Sequence, residues 1–469
     1  MARAVVIGGS IAGMSAARAL SDAFHEVVII DRDHFPPSVE HRSGVPQSRH
    51  AHVLLDRGKL ELEALFPGFT SEMRAGGAEV FDPGVSLALL RAPHWQDVGP
   101  VGVELIWASR NLFEFSIRKL LAAQTSVRLL EGKQVVGLSV SAGPLRRVAG
   151  VKLRDGSGQV TELAADLVVD ASGRHTRADL WFREHGLPLP ARDRVDAHLG
   201  YASRFYRPPA RRPSSWRWRS LWIDWEPPTL ARYGLILPVE RDGWLVTLVG
   251  IGDDMPPSDE AGFTAFLRTL SAPALADALE LATPLSDVAT YRSLANVFRR
   301  YDRWPARLRG FLALGDAACA FNPIYGQGMS VAAACASLLR AHLREVSPHE
   351  PEFERLFFRR QASFVRGAWR LATRADFAWP TTEGERPPSL PLLDAYMRLA
   401  MKSIHHDAAL RRRVFPVFNL TGPGTLFFKP RFMADVLVAS AQRHLRERLH
   451  VAYRHARAHS AELLVKLVG

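Results

Sequence analysis

Cysteine is nearly missing: the 469 residues include only Cys319 and Cys335. Two thiols cannot build a disulfide framework or a cysteine metal site, so both are expected to be small buried apolar residues, and no metal is expected. No apolar run approaches the roughly twenty residues of a membrane-spanning helix. The β-branched run starting at Arg3 leaves no room for a secretory leader, so a cytoplasmic protein is expected. Internal repeats and low-complexity tracts are absent too, which excludes a repeat architecture. Acidic residues are in deficit, 48 against 60 basic ones, for a formal charge of +12. The excess is mainly arginine and is scattered. With no nucleic-acid motif or aromatic-basic pattern beside it, nucleic acid is not expected as a partner; an acidic carrier or an anionic cofactor accounts for it equally well.

What is present is a large apolar fraction, 47%, enough for two or three domains. "RAVVIGG" (Arg3 to Gly9) feeds a β-branched run into glycines, and "AGMSAARAL" (Ala12 to Leu20) continues at helical spacing. A second run, "EVVIID", ends on Asp31, about twenty residues beyond the first glycine, where a carboxylate can meet a ribose. This predicts a βαβ unit whose turn, Gly8, Gly9, Ser10, Ala12 and Gly13, presents helix N–H groups to a pyrophosphate. Ser10 stands where the dinucleotide fingerprint has its middle glycine; its hydroxyl is itself a donor for a phosphate oxygen.

A second glycine-bearing strand end, "GFLALGDAACAFNPIYGQGMS", carries Gly315, Asp316, Pro323, Gly326, Gly328 and Met329. Gly315 allows close approach, Asp316 accepts from polyol hydroxyls, and the "GQGMS" helix start directs its dipole at an electron-accepting ring. These jobs suit the ribityl chain and ring of a flavin, which makes FAD the expected cofactor. Between the two turns, "FPPSVEHRSGVPQSRHAHVLL" (Phe35 to Leu55) is a long loop of the kind that serves a site. "SRNLFEFSIRKLL" (Ser109 to Leu121) reads as an amphipathic helix, and residues 197 to 252 read as antiparallel strands, with a turn at Arg241, Asp242 and Gly243.

Together, "GGSIAG", "IIDRD", "RSGVPQSRHAHVLL", "ASRNLFEFSIRKLL", "DLVVDASGR" and "LGDAACAFNPIYGQGMS" resemble the FAD-dependent monooxygenases related to p-hydroxybenzoate hydroxylase and squalene epoxidase. Within them, the resemblance is greatest to the bacterial polyether epoxidases of the lasalocid and monensin type. The resemblance implies an α/β fold of the p-hydroxybenzoate hydroxylase type: a Rossmann-like FAD-binding domain (residues 1–75, 104–190 and 290–345), an inserted antiparallel-sheet substrate domain (76–103 and 191–289) and a C-terminal helical region (346–469). It implies a monooxygenase that places one oxygen atom, by way of a flavin hydroperoxide, in an apolar polyene, terpenoid, polyketide or aromatic intermediate. Carried over, Gly8, Ser10, Gly13, Asp31 and Arg32 hold the ADP half, and Arg110 and Asp316 meet pyrophosphate and ribityl chain. Val135 offers its backbone to adenine. Arg42 and the loop with Gln47 pass near the ring, and Pro323, Gly326, Gly328 and Met329 line its other edge.

One departure bears on the electron source. Hydroxylases that bind NADPH directly pair Asp with Gly, whereas "DASGRHTR" separates Asp170 from Gly173. NADPH or NADH is the expected ultimate donor, with a separate flavin or electron reductase as a partner still open. Candidates for the chemistry are His50, Arg42 and Gln47, although a loop histidine such as His50 or His52 is more often structural. Trp216, Trp218 and Trp222 in "WRWRSLWIDW" either wall a pocket for the small, apolar, free or carrier-bound substrate or pack the back of a sheet. A prenyl reductase, a flavin halogenase and a non-catalytic flavoprotein remain as alternatives. The final basic amphipathic stretch either covers a core or rests on a membrane surface.

Overall fold

The computed structural model describes residues 2–142, 146–292, 294–388 and 390–445. The chain opens with β1 (Arg3–Ile7), α1 (Ile11–Leu20) and β2 (Glu26–Ile30), the expected βαβ unit. After a long loop, residues 31–55, and two helices spanning Asp56–Leu65 and Phe69–Ala75 come β3 (Leu87–Arg91), α2 (Arg110–Leu121), β4 (Val127–Leu130) and β5 (Leu167–Asp170). Ser109 caps α2 by accepting from Leu112 N, satisfying one of the first-turn donors. Three long strands and one short one follow: β6 (Leu199–Arg207), the short β7 (Ser220–Ile223), β8 (Tyr233–Val239) and β9 (Gly243–Ile251). Then β10 (Phe311–Ala313) leads to α3 (Gln327–Glu345) and α4 (Phe353–Phe377).

The parallel sheet runs β10-β5-β1-β2-β4. Val5 pairs with Val168 on one side and Val28 on the other, and all three are fully buried. Helix α1 packs against β1, β2 and β5, and the strand Val148–Arg154 of a separate three-stranded antiparallel sheet packs against β5; with both faces covered, these strands are unbroken β-branched runs instead of alternating ones. Burying each such side chain stabilises by about 1.5–3 kcal/mol, so the site's strand ends stand on the firmest part of the molecule.

The second sheet has eight strands and contains β6, β9, β8, β7 and β3 in that order. β8 and β9 form the expected hairpin, and its turn residues Arg241 and Asp242 both have positive φ, 61° and 53°; such a turn matches the strands' right-handed twist. β3 reaches this sheet from far earlier in the chain and pairs parallel with β7. The sheet separates two apolar clusters: Leu221, Ile236, Val246 and Phe263 lie on one face, and Tyr201, Tyr233, Leu235 and Val249 on the other. Further helices span Leu390–His406, Ala408–Phe418 and residues 430–445. Among the described residues, no helix is long and apolar enough to cross a membrane. Residues 446–469 of the basic C-terminal stretch lie outside the described residues.

Candidate functional site

Both glycine-bearing strand ends open onto one cleft of about 480 Å³. Gly8 turns the chain with φ +97°, and a Cβ there would lie 2.7 Å from Ala171 O. Gly13 faces inward: its Cβ would lie 1.8 Å from Gly8 O. Gly8, Ser10 and Ala12 line the cleft, whereas Gly9 and Gly13 act from behind it. Gly9 N donates to Asp31 Oδ2 at 2.7 Å, tying the turn to the end of β2.

Ser10 has partners of its own on the cleft wall. Its hydroxyl donates to Glu114 Oε1 at 2.5 Å and accepts from Arg110 Nη2 at 2.7 Å. It therefore bridges the start of α1 to α2. Glu114, which the sequence reading passed over, is the hub. It pairs with Arg42 at 3.0 Å and with Arg110, four residues earlier on α2, at 3.3 Å. Burial alone would raise its carboxyl, but Arg110 and Arg42 outweigh it and hold the group below the usual range.

Arg42 lines the cleft but is held at the Asp31 end. Besides Glu114 it meets Asp33 at 2.8 Å and Asp31 at 3.4 Å. A guanidinium fixed by three carboxylates balances charge at the expected ribose position. Gln47 lines the cleft from the turn Pro46–Arg49. Arg32, Lys133 and Val135 line the same end.

At the far end, Asp316 is half-buried and lines the cleft, and its carboxyl is raised by desolvation against the pull of Arg174, Arg110 and Arg299. Gly315 lies behind the wall; with φ +63° and its Cβ position 2.7 Å from Ala12 Cβ, it lets this strand end press against α1. Pro323, Gly326, Gly328 and Met329 line the cleft where α3 begins, so its N-terminal donors face the cavity. Arg174 and Arg177, from the loop after β5, add positive charge, and His175 lines the wall between them. Asp170 itself closes that loop, accepting from Ser172 N at 3.0 Å, from Ser172 Oγ at 2.6 Å and from Thr176.

The turn Asn322–Gly326 is gripped from behind by Asp376 of α4. Its carboxylate accepts from Tyr325 Oη at 2.6 Å, Asn296 Nδ2 at 2.5 Å and Asn322 Nδ2 at 3.0 Å. Burial nevertheless pushes its pKa up to about 7. The folded protein thus holds a proton that the unfolded chain releases near its ordinary 3.8. The resulting stabilisation is complete below that lower value and lost as pH rises through about 7. Relative to Asp376→Asn, wild-type stability is expected to fall by up to about 4 kcal/mol between about pH 4 and pH 7.5. Denaturant melts of both proteins at the two pH values check this, and parallel pH curves would contradict it.

A side chamber of about 50 Å³ opens off this end. It shares Ala51, Val53, Tyr201, Pro323 and Gly326 with the cleft and adds His50, Trp222, Tyr233, Leu235, Leu237, Thr247 and Ile324. Of the three tryptophans expected in a pocket, only Trp222 is there. Trp216 and Trp218 stack on each other at 5.1 Å and lean on Trp244 at 6.1 and 5.7 Å, in the cluster on the opposite face. His50 lines the chamber, not the main cleft. Burial and neighbouring Arg49 push its imidazole down to about 4, so it is neutral at physiological pH.

This architecture, a parallel sheet with glycine turns at two strand ends and an antiparallel sheet beside them, is the FAD-binding-type α/β fold. The chain is 34% identical over 357 residues to Protein Rv3254 of Mycobacterium tuberculosis, covering 73% of this chain and 72% of that protein, and it belongs to the same family. No family model matches. A flavoprotein/dehydrogenase from Cytophaga hutchinsonii superposes with TM-score 0.66 at 16% identity, over 95% of this chain and 100% of that one. The p-nitrophenol 4-monooxygenase PnpA from Pseudomonas putida does so with TM-score 0.62 at 16% identity, over 90% and 99%. The flavin-dependent brominase Bmp2 shares the fold too.

Proposed function

We propose that this protein is an FAD-dependent monooxygenase that epoxidises or hydroxylates an apolar polyene, terpenoid, polyketide or aromatic intermediate. The observation that carries the proposal is the single cleft joining Asp31 and the Gly8–Gly13 turn to Asp316 and the start of α3. Its wall fits the cofactor. Two helix N-termini and the side chains of Arg110, Arg174 and Arg177 suit a diphosphate. Asp31 and Arg32 would take the adenosine ribose, the backbone at Val135 the adenine, and Asp316 the ribityl hydroxyls. Pro323, Gly326, Gly328 and Met329 would border the ring. When bound, FAD supplies the activation of dioxygen and the delivery of one oxygen atom.

The chain's own contribution is to hold the substrate, exclude water and balance charge. Residues His50 to Val53 and Pro323 to Gly326 would bring an apolar substrate from the chamber to the ring edge. Gln47 is the polar group offered to the cleft beside them. The resemblance of "GVPQSRHAHVLL" to polyether epoxidases supports oxygen transfer over the prenyl-reductase reading. A halogenase reading has less support: Lys133, the one lysine on the cleft wall among the described residues, sits beside Val135 at the opposite end. NADPH or NADH would supply electrons, either directly or through a separate reductase.

The test is reconstitution with FAD followed by turnover under 18O-labelled dioxygen with NADPH and a reductase, using candidate polyenes. One labelled atom in the product is expected. Hydrogen gain without label would support the reductase reading, and a colourless protein without affinity for FAD would end the proposal.

A further inference from the structure

A hydrogen-bonded polar line runs along one wall of the side chamber: His50 and Thr247 line the chamber, and Ser203 connects them from behind. Ser203 on β6 and Thr247 on β9 are direct cross-strand partners, both buried, with their hydroxyl oxygens 2.7 Å apart. Ser203 Oγ lies 2.9 Å from His50 Nδ1. The His50 ring is wedged edge-on against Tyr201, centroids 4.6 Å apart, and is 2% exposed. With Nδ1 engaged, Nε2 is the nitrogen left for a ligand, and no protein partner meets it among the described residues.

Position 203 and position 247 sit mid-sheet, where valine fits a pleated surface well. Hydroxyls there need partners, because each buried polar group left unsatisfied costs about 1–3 kcal/mol. Each finds its partner only in the line that ends at His50. The chamber lining carries no charged side chain, and the imidazole itself is neutral.

We propose that the Thr247–Ser203–His50 line makes His50 the polar recognition group of the chamber, its Nε2 hydrogen bonding to one uncharged oxygen function, a hydroxyl or carbonyl, at the end of an otherwise apolar substrate. This rests on the reading of the chamber as the substrate site. His50 would touch substrate; Ser203 and Thr247 are positioning residues that fix the ring's rotation. A carboxylate in that place would lose its water without gaining a counter-charge. A hydrocarbon end would leave Nε2 unpaired, and a site built to hydrogen bond rejects an analogue lacking the oxygen.

The experiment titrates the FAD-loaded protein calorimetrically with 2-naphthol, naphthalene and 2-naphthoate at pH 7.5. 2-Naphthol is expected to bind at least about tenfold more tightly than either analogue. In His50→Phe, the naphthol-to-naphthalene preference is expected to fall to about one while naphthalene binding is kept. Ser203→Ala should lower the preference partway and Ser203→Thr should restore it, which a merely structural hydroxyl would not do; these two variants carry the test if His50→Phe does not fold. A preference that survives in His50→Phe and in Ser203→Ala, a tightest complex with 2-naphthoate, or no binding of any probe would overturn the proposal. Titrating protein without FAD separates the two readings: a His50-dependent preference in a chain that never takes up FAD sinks the cofactor reading and keeps this one.

Discussion

Replacing Gly13 by alanine is expected to give a protein that retains no flavin after reconstitution and melts well below wild type. The new methyl would sit 1.8 Å from the carbonyl oxygen of Gly8 and 3.4 Å from Val6 Cγ1. Both the donor turn and the helix it starts are backbone, so neither yields as the end of a flexible side chain does. Overpacking of this kind costs about 1–3 kcal/mol or more, and relief requires α1 to lift from β1. That movement would carry the helix N-terminus away from the diphosphate position, so FAD affinity is expected to fall at least about a hundredfold, about 2.7 kcal/mol. Gly367→Ala in α4 is the control: a Cβ there meets nothing within 4 Å, and alanine in a helix interior should stabilise by about 0.5–1 kcal/mol. Visible absorbance and thermal melts of both variants decide the matter. A yellow Gly13→Ala protein would show that the turn does not hold the diphosphate.

The same turn illustrates what could be read in one dimension. β1, α1 and β2 were legible because each carries its own signal: β-branched runs buried on both faces, small residues at helical spacing, and glycines where the backbone must turn. The hairpin at Arg241 and Asp242 was legible for a similar local reason. Residues whose role depends on a distant partner were not. Ser10 reads as a phosphate donor, and only the fold brings Glu114 and Arg110 of α2 against it. Arg110 and Glu114 lie four apart on a helix that was legible, but nothing local says that their shared face packs on the glycine turn. Trp216 and Trp222 look equivalent in a run of aromatics, yet they belong to opposite faces of the sheet, because Trp222 lies within β7 and the other two precede it. Asp376 is one acid in an arginine-rich helix. Only the approach of Asn296, Asn322 and Tyr325 makes it the anchor of the turn at the ring end.

Glu114→Gln carries the second large effect, because it tests the charge balance of the whole cleft. In wild type, one buried carboxylate faces Arg42 at 3.0 Å and Arg110 at 3.3 Å. Glutamine keeps the shape and one acceptor oxygen but removes the charge, leaving two buried guanidiniums to share fewer anions. Arg42 retains Asp31 and Asp33; among the described residues Arg110 has no other carboxylate bonded to it, only Ser10 and the more distant field of Asp316. Breaking such a buried pair costs about 3–5 kcal/mol, so the apoprotein is expected to melt several degrees lower. A diphosphate beside Arg110 would return negative charge to the same guanidinium. FAD should therefore raise the melting temperature of Glu114→Gln by more than it raises that of wild type and recover at least half of the loss. Melts with and without saturating FAD measure this directly. If the cofactor-induced rise is no greater in the variant than in wild type, the diphosphate does not lie against Arg110, and the orientation proposed for the cofactor along the cleft has to be given up.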